Sequence, residues 1–445
     1  MFCKLYRLET FGMKNISDLI SIDFCPLTVD KKSKKKISKV KSIYGANGVG
    51  KSAIINSISL FKKLALDSTL LKQKDEITKL NNIINKLKKE FYISIIFGIK
   101  INEEEKENIY KHDLIIKLDN DVPYIDSESL YILKDQTING KFHQIFSISN
   151  GELNINNKSN LSMNKYIKNR TLNILKYSTL TSILKESDVI KETISFLNEK
   201  NDEEKDLGVI NYLLIDRLFF TNISIYLESM DIHTENDNEN INDLINIEFK
   251  LNNTSTFRNT IDSKRDVVKK SKINEYKNNI EKLTEFLKLF KPELKEIVLD
   301  ITEDETNYYC QKKLLYNGYF VDSDFESSGI QKLMNIFNSL MDVTKGKIVF
   351  IDELDANISG VYLKTLIEYL NNINMGQLCF TTHNYYPMTC LYEYVNSIDF
   401  LGETGKLVSW KKNGNYKPYI QYPEGMIVDS PFNIDSIDYY KVFGD

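Results

Sequence analysis

The stretch IYGANGVGKSAIINSI, Ile43 to Ile58, constrains the fold more than any other part of the chain. Gly45 and Gly50 bracket four residues, and Lys51 and Ser52 follow at once, which is the spacing of a phosphate-binding loop. A short apolar strand, KSIYG, runs into the loop, and a helix, SAIINSISLFKKLAL, runs out of it with Ile54, Ile58, Phe61 and Leu64 on one face. Backbone N–H groups and the helix N-terminus then surround phosphate oxygens. Gly48 and Gly50 are required because a Cβ would block close approach or the backbone angles. The expected nucleotide-binding set is Gly45, Asn47, Gly48, Val49, Gly50, Lys51 and Ser52. Lys51 neutralises β/γ oxygens, and Ser52 offers a hydroxyl to Mg²⁺. ATP and Mg²⁺ are the ligands implied.

Three further segments fit this reading. KIVFIDELD places four apolar residues, Ile348 to Ile351, before Asp352 and Glu353. A buried strand of an open α/β sheet ends at the ligand crevice, so Asp352 is placed to hold Mg²⁺ and Glu353 to polarise the attacking water. LCFTTHNY ends another apolar strand in Thr381, Thr382 and His383, where His383 could sense the γ-phosphate by a hydrogen bond. DFESSGIQKL opens a helix with Ser327, Ser328 and Gly329. A helix cap accounts for such a turn equally well.

Strands alternating with helices around a glycine loop predict an α/β sheet with crossovers. LYRLETF and LISIDF read as strands, as do several segments from Phe91 to Ile155, which suggest an antiparallel layer. Helices dominate from Met163 to Phe290, broken by the polar stretch HTENDNENINDL. Ile77, Leu80, Ile84, Leu87 and Phe91 form an apolar seam over KDEITKLNNIINKLKKEF, and a second seam runs from Ile273 to Phe290. The two helices could pair as a short antiparallel arm, or each could pack on a globular core. The expected divisions are 1–66 for an N-terminal lobe with the loop, 67–90 for a helix toward an arm, 91–160 for the antiparallel layer, 161–290 for a mainly helical insertion and 291–445 for a C-terminal lobe.

At 445 residues and 42% hydrophobic the chain supports a large core, and a formal charge of -4 demands neither nucleic acid nor an anionic membrane. The lysine run DKKSKKKISKVK is either a solvated loop or a phosphate-backbone contact beside the loop. Five cysteines without a C-x-x-C pair suit reduced thiols, and no apolar run is long enough to span a bilayer; a cytoplasmic place without membrane is expected.

The order glycine loop, long middle region, Ser-Ser-Gly helix, Asp-Glu strand and histidine strand resembles the ABC-type ATPase heads, and most closely the SMC-like, RecF and overcoming-lysogenization-defect ATPases. ESSGIQKL is similar to their signature motif. The resemblance implies an ABC-type P-loop ATPase head, a mixed sheet with an antiparallel β-layer, in which ATP glues two heads together. Ser327, Ser328 and Gly329 would touch the γ-phosphate held by another copy, Glu353 would be the catalytic base, His383 the switch histidine, and LDANIS, Leu354 to Ser359, the loop between protomers. The signature departs from the family at Ser328, where a second glycine is usual, and at Ile330, where glutamine or glutamate is usual. Gln73 lies in a helical stretch, which leaves the glutamine of the inter-lobe loop unassigned.

Within that group, ESSGIQKLMNIFNSL, VFIDELDANIS, CFTTHNYYPM and YPEGMIVDSPFNIDSIDYY look like the RloA/abortive-infection L-type ATPases and the AriA-like subunit of the PARIS phage-defence system. This implies a homo-oligomer that senses or scaffolds, controls a nuclease-like effector encoded in its operon, and does not require nucleic acid. The alternative is an SMC/RecF-like DNA-binding repair ATPase. A self-contained nuclease is a third reading, resting on the D-x-D of Asp322 and Asp324; the short tail after His383 weighs against it, and His112, His143 and His233 fit surface or structural roles.

Overall fold

The computed structural model describes residues 1–27, 37–101, 106–134, 140–157, 159–199, 207–227, 261–373, 376–412 and 416–427. Strands β1 (Phe2–Phe11) and β2 (Ile20–Asp23) pair antiparallel, and β3 (Val40–Tyr44) runs into the glycine loop and helix α1 (Lys51–Leu66). Helix α2 (Lys74–Ile83) follows, then strands β4 (Glu90–Lys100), β5 (Asn108–Asp119), β6 (Val122–Leu133), β7 (Phe142–Ser149) and β8 (Glu152–Ile155). Asn120 and Asp121 turn β5 into β6 with φ of 48° and 64°, and Asn150 and Gly151 turn β7 into β8 with φ of 52° and 81°. Asparagine, aspartate and glycine tolerate this region, and such turns match the strand twist.

Beyond them lie helices α3 (Leu161–Arg170), α4 (Ser187–Glu199) and α5 (Val209–Thr221), strands β9 (Ile223–Tyr226) and β10 (Asp266–Lys269), and helix α6 (Ile273–Lys288). The chain continues through β11 (Glu296–Glu303), β12 (Asn307–Leu315), β13 (Phe320–Asp322) and helix α7 (Ser328–Thr344). It then forms β14 (Ile348–Ile351), α8 (Gly360–Asn372), β15 (Gln377–Thr381), β16 (Ile398–Leu401) and β17 (Leu407–Ser409).

The central sheet has the order β17-β16-β3-β15-β14-β9, parallel throughout except at β17. It is buried on both faces. Along β14, Ile348 and Phe350 enter one core while Val349 and Ile351 enter the other, as the two-residue period of a strand dictates. The first core lies under a seven-stranded antiparallel sheet, β2-β1-β4-β5-β6-β7-β8, with α1 and α5. The second gathers α6, α7, α8 and the small sheet β10-β12-β11, with β13 on β12. The fold is thus mixed α/β, a central sheet with an antiparallel layer, as expected.

One expectation is corrected. The helix expected through Phe91 stops at Ile83: Ile84 is extended, and the Asn85 side chain accepts the N–H groups of Leu87 and Lys88 at 3.1 and 3.0 Å, so a local turn replaces the next helical bonds. Leu87, the fourth seam residue, is 90% exposed. The second seam packs on the globular core, one of the two arrangements expected for it, with Tyr276, Ile280, Leu283 and Leu287 in the second core and Phe286 5.5 Å from Phe337. The described residues of 161–290 contribute to both cores and to two of the sheets. Residues of α3 and α5 line the first core, β9 is an edge of the central sheet, and β10 pairs with β12. The antiparallel layer likewise draws β1 and β2 from the first lobe. Most of the lysine run, the polar stretch with His233, and the end of the tail lie outside the described residues.

Candidate functional site

All of β3 is buried, so the chain leaves the middle of the sheet at a fixed point. A Cβ on Gly45 would stand 2.6 Å from the Leu401 carbonyl oxygen, which excludes any larger residue without a backbone shift. Gly48 and Gly50 hold φ of 81° and 115°, in the left-handed region. A Cβ on Gly48 would meet nothing within 4 Å, so that side of the loop is open. Asn15, from the β1–β2 connection, donates its side-chain amide to the Gly48 carbonyl.

Lys51 folds back into the loop. Its Nζ donates to the Gly45 and Ala46 carbonyls at 2.9 and 2.8 Å. Burial lowers its pKa to about 8 against the opposing pull of Glu353, Asp352 and Asp355. Those three carboxylates therefore share its electrostatic surroundings.

Strand β15 lies between β3 and β14, and its end ties their ends together. The Thr381 hydroxyl donates to Asp352 Oδ1 at 2.6 Å and accepts the Glu353 N–H at 2.8 Å. On the other side, the Thr382 N–H donates to the Ile43 carbonyl at 3.2 Å. Glu353 takes a φ of 50°, which costs a non-glycine residue roughly 1 kcal/mol or more and persists where neighbours hold it. The Asp355 carboxylate accepts the backbone N–H groups of His383 and Asn384 at 3.3 and 3.1 Å. His383 is exposed, and partial desolvation followed by the Lys51 charge lowers its pKa, so its neutral form is favoured near neutral pH.

Ser327 precedes α7, and its side chain makes no capping hydrogen bond. Capping therefore does not explain it. Its N–H donates to Glu326 at 3.0 Å, and that buried carboxylate also accepts from the Tyr316 hydroxyl at 2.5 Å and Lys291 at 3.3 Å. Ser327 and Ser328 are exposed. Gly329 packs on the LDANIS loop, where a Cβ would lie 2.6 Å from the Asn357 carbonyl oxygen. Because α7 leads as a crossover helix into β14, its start lies at the carboxyl edge of the sheet, the edge that carries the glycine loop.

The residues fit a magnesium-bound nucleoside triphosphate. The glycine loop is open where phosphate would enter, and Thr381 occupies only one oxygen of Asp352. Among the described residues no group of three or more His, Cys, Asp or Glu is placed to hold a metal. Ser52 and Asp352 would hold Mg²⁺ together with phosphate oxygens and water, the usual arrangement for this ion. Asp322 and Asp324 sit at the end of β13 and in the turn before α7. Gln73 precedes α2 and donates to the Thr69 hydroxyl at 3.1 Å.

Sequence reasoning named Thr381 only as the end of an apolar strand and Asp355 only within the LDANIS loop, with no role in this site, and it missed Asn15. His112 proves structural: wholly buried, it lies 3.0 Å from Asp216 and 3.1 Å from Glu128. Burial alone would lower its pKa, but Asp216 and Glu128 outweigh it and raise the value to about 10.

No protein-family model matches the chain, and no curated protein matches it. Two solved structures of the recombination mediator protein RecF in the RecFOR pathway are similar to it. The one with ATPrS shares 12% identity and a TM-score of 0.38, covering 92% of this chain and 99% of that chain. The one with ATP shares 13% identity and a TM-score of 0.33, covering 86% and 94%. Among the described residues no helix is long and apolar enough to cross a membrane.

Proposed function

We propose that this chain is an ABC-type ATPase in which two copies enclose ATP, each between its own glycine loop and the Ser327–Gly329 turn of the other. The observation that supports it is the convergence of Lys51, Asp352, Glu353 and His383 at the ends of three adjacent strands. Lys51 would leave the loop carbonyls for phosphate oxygens. Glu353 would take the proton of the attacking water, and neutral His383 would bond the terminal phosphate. Bound Mg²⁺, on Ser52 and Asp352, would neutralise charge on the phosphate oxygens. Light scattering with and without ATP and Mg²⁺, alongside a phosphate-release assay, tests this reading. A chain that stays monomeric in both and releases no phosphate is not this machine.

For the task the ATP serves, the motif resemblance at both ends of the chain supports control of a nuclease or toxin in antiphage defence. The RecF structures bear the name of a recombination mediator, which stands closer to a DNA-repair role. Coexpression with neighbouring genes, followed by pull-down and phage challenge, tests the first. Retention on DNA that needs ATP and falls steeply with salt would establish the second in its place.

A further inference from the structure

The end of β15 bears a residue for which neither the glycine-loop motif nor the acidic strand has a use. Thr381 is completely buried, and its hydroxyl is committed twice. Since the Glu353 N–H occupies it as acceptor at 2.8 Å, its single proton goes to Asp352 Oδ1 at 2.6 Å. The Thr381 carbonyl, in turn, accepts the Leu354 N–H at 3.1 Å. One residue thus binds three successive positions of the acidic turn, including the left-handed Glu353.

We infer that Thr381 is a positioning residue for metal and water: its hydroxyl fixes the Asp352 carboxylate by one oxygen, presents the other to the cation, and holds the Glu353 backbone in the conformation that aims its side chain. The inference rests on the ATPase reading above. It assigns Thr381 no contact with nucleotide. Groups that orient a metal ligand in this way typically matter about 10–100-fold for metal affinity or activity.

The test compares the wild-type chain with Thr381→Val, which removes the hydroxyl and keeps the shape, and Thr381→Ser, which keeps the hydroxyl. Thr381→Ala replaces the valine variant if that one does not fold. Fluorescent ATP-analogue affinity is measured in excess Mg²⁺ and in EDTA, with ATP turnover in parallel. The expected result for Thr381→Val is a loss of about tenfold or more in Mg²⁺-dependent affinity and in kcat, with EDTA affinity unchanged. Thr381→Ser should restore both to within about threefold, a conservative rescue that loss of packing alone would not follow. Wild-type values in Thr381→Val, or equal losses in Mg²⁺ and in EDTA, overturn the inference while leaving the ATPase reading intact. A wild-type chain that binds no analogue in either condition overturns both.

Discussion

Gly329 lies so close to Asn357 that a Cβ on it would stand 2.6 Å from the Asn357 carbonyl oxygen. The obstacle is backbone, so it cannot swing aside. The start of α7 and the loop after the acidic strand are therefore packed as one surface, and that surface is the one proposed to meet the second copy. Gly329→Ala is expected to keep nucleotide binding by the chain's own glycine loop while weakening ATP-driven dimerisation about tenfold or more, since separating these segments costs contacts only the assembled state uses. Analogue titration and light scattering on the same sample check the two halves. Unchanged dimerisation would remove Gly329 from the interface.

Glu353→Gln preserves size and the backbone bond to Thr381 but cannot take a proton. It is expected to bind ATP, stay dimeric and lose at least about 100-fold in turnover, the usual weight of a general base. Lys51→Ala is expected to lose binding outright. Wild-type turnover in Glu353→Gln would take that residue out of the chemistry.

The buried Lys51 makes binding depend on pH. Its pKa in the free chain is about 8, and phosphate oxygens would favour the charged form and raise it. The raised value belongs to the complex, so affinity is full below about pH 8 and falls as pH rises through it, by up to about tenfold per unit. Analogue binding between neutral and alkaline pH measures this. A flat profile would contradict it.

His112→Leu leaves Asp216 and Glu128 facing each other in the first core without their cation. Breaking a buried ion pair in this way costs about 3–5 kcal/mol, to be read from the urea midpoint at neutral pH. In the wild-type chain, with the folded pKa raised from 6.5 to about 10, the stabilisation is complete below 6.5 and lost as pH rises through 10. The variant should lack that alkaline decline.

Much of the site is local and therefore readable. The glycine loop needs one strand, one turn and one helix in succession, and Ile43 to Ile58 supply all three. Asp352 directly follows an apolar run and His383 follows one after two threonines, positions that mark the edge of a parallel sheet. The helix expected through Phe91 shows the limit of such reasoning: the seam from Ile77 to Phe91 keeps helical spacing, yet Asn85 turns the chain and β4 claims Phe91, because pairing in a seven-stranded sheet outweighs a weak helical pattern.

Amino-acid order alone determined which residues stand at strand ends and helix starts, because backbone geometry and side-chain period act over a few neighbours. Only the tertiary structure decided that β15 falls between β3 and β14, and with it that the Thr381 hydroxyl meets Asp352 and that Asn357 meets Gly329. Strand order follows from how crossover helices cover both faces of one sheet, a property of the whole packed core that no short stretch of sequence carries.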